Sequence, residues 1–299
     1  MTIARLLHLL RLMWIRLVSE VRYLPIRVRA LRLNAEVPKG YYESFDDDAL
    51  RRCVRGDTLF ILGSGASLAA LPGEVLAEMR SNITMSLNYT LLQSFIPADF
   101  HVVRELGAAN DVAVNIQASD LEFFGNLVGA NPSYGNAVLI VQGGYYAWTA
   151  NLLIGQRFLP KGTKLFRYRN SPLPGFRSLG ATFGAITHGA STITDCINIG
   201  YLLGFKKIVL CGVDLYDRRY FWHVAGTPFI SLPGITDAQI GEYGGVGDMA
   251  AKHRTAEHLL LQMSVWHREL EAAGVALSVQ NPKSLLTEVL PVYNPSGVY

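Results

Sequence analysis

Short apolar runs recur along this chain with helical stretches between them, and that alternation limits the fold more than any other feature. Thr58–Leu62, Ile83–Leu87, Phe100–Val103, Ala137–Val141, Lys164–Tyr168, Lys207–Cys211 and Val275–Val279 each read as a strand. A continuous apolar run, as opposed to an alternating one, marks a strand covered on both faces. Helical stretches read at about 75–80, from Ser191-Thr192 to about Leu203, and from Thr255 to Ala272. The pattern predicts an α/β fold, a mostly parallel sheet with helices on both faces. Residues 216–252 break it and become rich in glycine, proline and aromatics, which reads as an inserted lid of about 216–253.

The 299 residues are half hydrophobic and 17% charged, enough for one large α/β domain carrying such a lid. A net charge of +3 gives no global field for nucleic acid. Cys53, Cys196 and Cys211 show no paired or metal-ligand spacing and read as reduced packing residues of a cytosolic protein. Asp46-Asp47-Asp48 is an exposed acidic run, and no Asp-x-Asp follows a core strand, so no metal site is expected.

Residues 1–35 differ in kind. Arginines from Arg5 to Arg32 interrupt every apolar run, so no stretch approaches the roughly 20 apolar residues of a spanning helix. A secretory signal fits poorly for the same reason. Ile3, Leu6, Leu7, Leu10, Met13, Trp14 and Leu17 recur at helical spacing, with Arg5, Arg16 and Glu20 off the stripe. Such a helix suits an anionic membrane surface or, alternatively, docking on the body of the enzyme or a partner subunit. The expected organisation is an amphipathic helix and linker over 1–40, ended by Pro25 and Pro38, then a transferase domain over 41–299.

Three constellations carry candidate chemistry. In Leu59–Ser67 a strand feeds a glycine turn, Gly63-Ser64-Gly65-Ala66-Ser67, which lets backbone N–H groups approach a phosphate at a helix start. It lacks the lysine ending of a Walker loop and has Leu68 where a dinucleotide fingerprint has glycine. A tight structural turn explains it equally well. Second, Ser191-Thr192 open a helix that leads to the strand ending in Gly212-Val213-Asp214-Leu215-Tyr216. Asp214 and Tyr216 then project into a crevice at the sheet end, where open α/β sheets bind ligands, although Ser191 and Thr192 also suit simple capping. Third, Tyr216, Arg218, Arg219, Tyr220, Trp222 and His223 open the lid, and Lys252, His253 and Arg254 close it just before a strong helix. His253 there suits a general base, or a solvated capping residue.

The segments LFILGSGASL, MSLNYTL, STITDCINIGYLLGFKKIVLCGVDLY and VALSVQNPKSLL, in that order, resemble the bacterial sialyltransferases of glycosyltransferase family 42. More loosely they resemble Maf-type flagellin glycosylation proteins and 6-hydroxymethylpterin pyrophosphokinases. The resemblance spans roughly 58–290. It implies a Rossmann-like variant of the GT-A fold with a lid over a CMP-sugar and no metal or other cofactor. It implies donor contacts at Gly63, Ser64, Gly65, Ser67, Asn88, Ser191, Thr192 and Asp214, two phenols, Tyr216 and Tyr220, on the leaving phosphate, and His253 as base. Three positions depart from the family: Ser64 replaces an asparagine, Arg104-Glu105 replace another, and the arginine before the Ser-Gly helix has only Arg177 as a counterpart.

The implied activity is inverting transfer of a nonulosonic acid, sialic acid-like or Kdo-like, from a CMP-sugar to a cell-surface glycan or lipid-linked saccharide. Arg218, Arg219 or Arg254 would meet the sugar carboxylate. The expected location is the cytoplasmic face of the inner membrane, held peripherally through residues 1–35, with homo-oligomerisation left open. The alternatives are a Mg/ATP-dependent pyrophosphokinase-like transferase and a non-catalytic nucleotide-binding scaffold of glycan assembly.

Overall fold

The structure is a computed structural model that describes residues 21, 24–104, 118–144, 147–171, 178–189, 191–216, 219–230 and 249–295; the side chains of 118–120 and 249–255 lie outside that description. Eight strands form one sheet: β1 (Glu43–Phe45), β2 (Thr58–Leu62), β3 (Ile83–Leu87), β4 (Phe100–Val103), β5 (Val138–Gln142), β6 (Lys164–Tyr168), β7 (Lys207–Cys211) and β8 (Ala276–Val279). Their order is β1-β6-β5-β4-β3-β2-β7-β8, and every pairing is parallel. Seven of them coincide with the apolar runs to within a residue at either end. β1 escapes sequence detection because its three residues, exposed or half-buried, carry no apolar run and pair only with β6 at the sheet edge.

Alternate strand residues build two cores, one on each face of the sheet. Phe60, Leu62, Val103, Leu139, Val141 and Val209 face α3 (Gly73–Met79), α4 (Ala118–Ala130) and α5 (Trp148–Gly155). Leu59, Ile61, Met85, Val102, Ile140 and Leu210 face α6 (Thr192–Leu203) and α7 (Met249–Ala272), with Leu50 of α2 (Asp47–Arg52) on the same side. Burial on both faces is why these strands read as unbroken apolar runs. Cys196 and Cys211 are buried in opposite cores as free thiols, and burial raises both pKa values.

Two local details adjust the sequence expectations. The glycine turn leads into a five-residue 3-10 turn, Ala66–Ala70, and not straight into an α-helix. Pro72 disfavours helical backbone at Leu71, whose ψ is 133°, so α3 starts only afterwards. At the other end of the chain α7 begins at Met249, which places the backbone of His253 inside the helix instead of before it. Asp46 caps α2 by accepting from the Ala49 N–H at 2.7 Å, and Asp47 and Asp48 occupy its first turn, where negative charge is favourable.

Residues 24–35 form helix α1, and Pro25 lies within this helical stretch instead of ending it. One side of α1 docks on the body of the protein. Ala30 and Arg27 are buried, Ile26 and Leu33 pack on the core, and Arg167 of β6 donates to Asn34 Oδ1 at 2.8 Å. A Cβ at Gly155 of α5 would stand 2.7 Å from the Asn34 nitrogen, so glycine permits the close approach. The outward side exposes Leu24, Val28 and Leu31, and Val21 ahead of the helix is exposed as well. The earlier stripe, Ile3 to Leu17, lies outside the described residues. No described helix is long and apolar enough to cross a membrane.

Candidate functional site

The strand order reverses direction between β2 and β7, and because all strands are parallel their carboxyl ends open on one side. Crevices at such reversal points are where doubly wound sheets bind ligands. The glycine turn sits there, pressed against the end of β7. Gly63 N donates to Cys211 O at 2.7 Å and Gly65 N to Gly212 O at 2.8 Å. A Cβ on Gly63 would lie 2.5 Å from Gly212 O, and one on Gly65 would lie 2.6 Å from Asp214 Oδ2. The glycines therefore allow two loop ends to touch. The N–H of Ser67 donates to Asp214 Oδ2 at 2.9 Å and its hydroxyl donates to Asp214 Oδ1. With the amides of Gly63, Gly65 and Ser67 taken, this turn offers a ligand its outline and the half-buried Ser64 in place of an open ring of amides.

Asp214 is buried and joins three segments. Besides Ser67 it accepts from Asn281 Nδ2, just after β8, at 2.7 Å. The same amide donates to Tyr216 Oη at 3.2 Å, which leaves the phenolic proton available. Tyr216 is 46% exposed, and Leu215 before it has a positive φ of 62°. That strained backbone turns the phenol out of the strand path into the crevice mouth. Tyr220 is held from the other side: its backbone bridges Gly65, Phe221 N donates to Ser64 O at 3.0 Å, and its ring stacks on Trp222 with centroids 4.4 Å apart. Burial raises the Tyr220 pKa, which keeps it protonated as a donor.

Next to this turn, β3 ends in Asn88, whose φ of 47° is a left-handed conformation that asparagine tolerates. Its Nδ2 donates to Thr192 Oγ1 at 3.2 Å, and its Oδ1 is buried with no hydrogen-bond partner. A desolvated acceptor without a donor is costly, about 1–3 kcal/mol. Ser191 caps α6, its hydroxyl accepting from Ile193 N at 3.4 Å and its carbonyl from Thr194 N at 3.0 Å, and Thr192 meets Asn88 at the start of the helix. The structure thus brings Gly63, Ser64, Gly65, Ser67, Asn88, Ser191, Thr192, Asp214, Tyr216 and Tyr220 to one end of the sheet. Arg219 is exposed beside Tyr220. The side chains of His253 and Arg254, and residues Glu105, Arg177, Arg218 and 231–248 of the lid, lie outside the description.

Sequence reasoning missed a second polar centre on the other flank of α6. Asp195, in its first turn, is fully buried. It accepts from Tyr168 Oη at 2.8 Å and Asn170 Nδ2 at 3.2 Å, meets His188 Nδ1 at 3.0 Å, and lies 3.7 Å from Arg104 Nε at the end of β4. Gln142 at the end of β5 donates to Asn170 Oδ1 at 2.7 Å. The Asp195 charge and its hydrogen bond push the Tyr168 pKa further up than burial alone does. One signal was available: a carboxylate at position 195 interrupts an otherwise apolar helix and is never left unpaired when buried. Among the described residues no group of three or more His, Cys, Asp or Glu side chains is placed to hold a metal ion.

No protein-family model matches the chain. A search of curated proteins finds no match either. Among solved structures it is similar to the Maf glycosyltransferase of Magnetospirillum magneticum AMB-1, with a TM-score of 0.45 and 15% identity over 82% of this chain and 35% of that one. The chain therefore spans about a third of the length of that protein. It is also similar to the monofunctional alpha-2,3-sialyltransferase Cst-I of Campylobacter jejuni, with a TM-score of 0.42 and 14% identity over 81% of this chain and 82% of that one. Neither neighbour is a pyrophosphokinase. At these values what the chain shares with both glycosyltransferases is the α/β fold.

Proposed function

We propose that this protein is an inverting glycosyltransferase that moves a nonulosonic acid from a CMP-sugar to a cell-surface glycan or lipid-linked saccharide, without a metal. The observation behind this is the partnerless, buried Oδ1 of Asn88 at a crevice ringed by the glycine turn, the start of α6 and two phenols. An amino or hydroxyl group of a nucleotide would satisfy that oxygen. Thr192 and the positive end of the α6 dipole would face the phosphate. Tyr216, with its proton free, and Tyr220, kept protonated by burial, would donate to the departing phosphate. A CMP phosphate is a weak base, so two such donors suffice without Mg²⁺.

The resemblance assigns the acceptor proton to His253, and donor binding through Asn88, Thr192 and the phenols does not depend on that side chain. A pyrophosphokinase needs carboxylates free for Mg²⁺, whereas both oxygens of Asp214 are occupied by Ser67 and Asn281. The exposed stripe Val21, Leu24, Val28 and Leu31, with Arg29 and Arg32 also exposed on the same helix, supports peripheral attachment to an anionic membrane surface through residues 1–35.

Thermal unfolding in the presence of CMP, CDP, UDP, GDP and ATP tests the assignment. A ligand at about 100 times its Kd stabilises the folded state by roughly 2.7 kcal/mol. A selective rise with CMP, followed by EDTA-resistant release of CMP from a CMP-sugar, is expected. Stabilisation by ATP and Mg²⁺ alone would overturn it. Binding of CMP without turnover would leave a scaffold.

A further inference from the structure

We propose that the cavity between the end of α1 and the β1 edge of the sheet binds a phosphoethanolamine headgroup, a phosphodiester that carries a primary ammonium. This rests on the peripheral membrane attachment given above for α1 and names the lipid that the attached protein selects. The cavity measures about 380 Å³, within the roughly 300–1,000 Å³ of small-ligand sites. Arg167 and Lys39 line it together with Asp46 and Asp47, so cations and anions share one concavity. Asn34 at the end of α1 and Ser44 of β1 line it as well. Strands β6, β5, β4 and β3 stand between β1 and the glycine turn at β2, so the cavity is separate from the donor crevice.

The chain brings these charges together and yet keeps them apart. Phe45 pairs with Phe166, so Asp46 and Arg167 follow side by side where β1 and β6 end. Each is held by a neutral group instead of by the other. Asp46 Oδ1 accepts from Ala49 N at 2.7 Å, while Arg167 donates to Asn151 Oδ1 at 3.0 Å and to Asn34 Oδ1 at 2.8 Å. Lys39 is exposed on the tight turn Pro38–Tyr41, which Tyr41 N closes by donating to Pro38 O at 3.1 Å, with Gly40 at a φ of 77°. Asp47 is exposed in the first turn of α2. Among the described residues no ion pair joins any two of these four. Where opposite charges do face each other on this surface, as Arg55 and Asp99 do, they close to 2.6 and 3.0 Å.

A zwitterion satisfies both halves of such a lining, and a simple ion does not. A lone phosphate would gain Arg167 and Lys39 but meet Asp46 and Asp47 as like charges, and a lone cation would meet the reverse. A guanidinium has five N–H groups, so after its two amide bonds Arg167 keeps donors for a phosphodiester oxygen. An ammonium brings three donors, which Asp47 and the second oxygen of Asp46 accept. A trimethylated ammonium has no N–H to give them, so the lining distinguishes ethanolamine from choline. Position supplies the source of the headgroup. Asn34 belongs both to the cavity and to α1, whose outward side exposes Leu24, Val28 and Leu31. A helix laid on a bilayer along that side has headgroups within reach of its own end.

The test uses the full-length chain with soluble glycerophosphoethanolamine, and with vesicles of phosphatidylglycerol mixed with either phosphatidylethanolamine or phosphatidylcholine. The soluble ester is expected to raise the melting midpoint, and glycerophosphocholine is not. At equal phosphatidylglycerol content, the ethanolamine vesicles should sediment severalfold more protein than the choline vesicles. Arg167→Gln should weaken binding of the ester about tenfold, the scale of a hydrogen bond to a charged group. Lys39→Gln and Asp47→Asn should weaken it about two- to fivefold each, as exposed ion pairs do. Because Arg167 also ties α1 to β6, the Lys39 and Asp47 variants decide the matter if Arg167→Gln melts early. Asp47→Asn is the sharper of the two. It makes the chain more positive, so plain attraction to an anionic bilayer would grow while the preference for ethanolamine falls. No midpoint shift from the ester, or equal and substantial sedimentation with both vesicle types, would overturn the headgroup site and leave attachment through α1 intact. Unchanged ester binding by both the Lys39 and the Asp47 variant would overturn it as well. A shift with the ester in a chain that sediments with neither vesicle would overturn the membrane as the source, and attachment through α1 with it.

Discussion

Asp214 and Asp195 are both buried carboxylates at the same end of the sheet, one just after β7 and one in the first turn of α6, yet their partners differ in kind. Asp214 accepts from Ser67 and Asn281, neutral groups in fixed roles: a backbone amide cannot reverse, and Asn281 is held because its own Oδ1 accepts from Lys283 N at 3.0 Å. Asp195 faces a phenol, an imidazole and an amide, of which the first two donate or accept as needed, together with an arginine. The first arrangement clamps three chain segments into one wall. The second gathers a phenol, an imidazole, an amide and an arginine around one carboxylate. The same residue type thus meets neutral donors on one side of a site and titratable partners on the other.

The sharpest break of this comparison lies at the phenol beside Asp214. Tyr216→Phe is expected to lower kcat by roughly 10²–10³-fold, the scale seen when one donor to a developing negative charge is removed. Its unfolding midpoint should barely move, because the ring is half exposed. Steady-state kinetics beside thermal melts would check both, and an unchanged kcat would remove the phenol from the mechanism.

Next in size is the contrast between two isosteres. Asp214→Asn strands one fixed donor whichever way the new amide turns, and should cost about 1–3 kcal/mol of stability. Asp195→Asn with its amide nitrogen at the Oδ2 position strands no fixed hydrogen-bond donor, because Tyr168 reverses to accept while Asn170 and His188 keep the remaining oxygen, so its hydrogen-bond loss should be the smaller, with the neutralised partner of Arg104 adding to it. Denaturant unfolding of the pair measures this, and equal losses would erase the distinction.

Acid titration sharpens the comparison further once a third buried group is accounted for. His101 is a buried residue of β4 with Nδ1 2.7 Å from Ser86 Oγ, and burial lowers its pKa from an ordinary 6.5 to about 3. The unfolded chain then binds a proton that the folded chain refuses, so stability falls as pH drops from 6.5 towards 3. His101→Leu should flatten that stretch of the stability profile. If the slope persists, other groups carry it.

The smallest effect concerns α1, whose two sides repeat the contrast between clamped and open. Val28→Glu on its exposed side should weaken sedimentation with anionic vesicles severalfold and leave the melting midpoint unchanged. Ala30→Glu on its docked side should instead lower that midpoint. Undiminished vesicle binding by Val28→Glu would put the contact elsewhere.

What the sequence determined alone was everything encoded within a few residues. Continuous apolar runs marked the buried strands, Ser191 and Gly204 marked the ends of α6, and the lengths between them required parallel crossovers. The strand ends that carry Tyr216 and the glycine turn were legible as the place for a crevice in this fold class, whereas Asn88 came from the family resemblance alone. The meaning of individual side chains was not. Gly63 and Gly65 suggested a phosphate cradle, but strand order sets them against Gly212 and Asp214, nearly 150 positions away, and their shape answers to that contact. His188 carried no local signature and Asp195 only that of a carboxylate among the apolar positions of α6, and the two meet only when the ends of β4, β5 and β6 close around them. Local periodicity follows from the backbone repeat; which charges share a dielectric pocket follows from how distant segments pack.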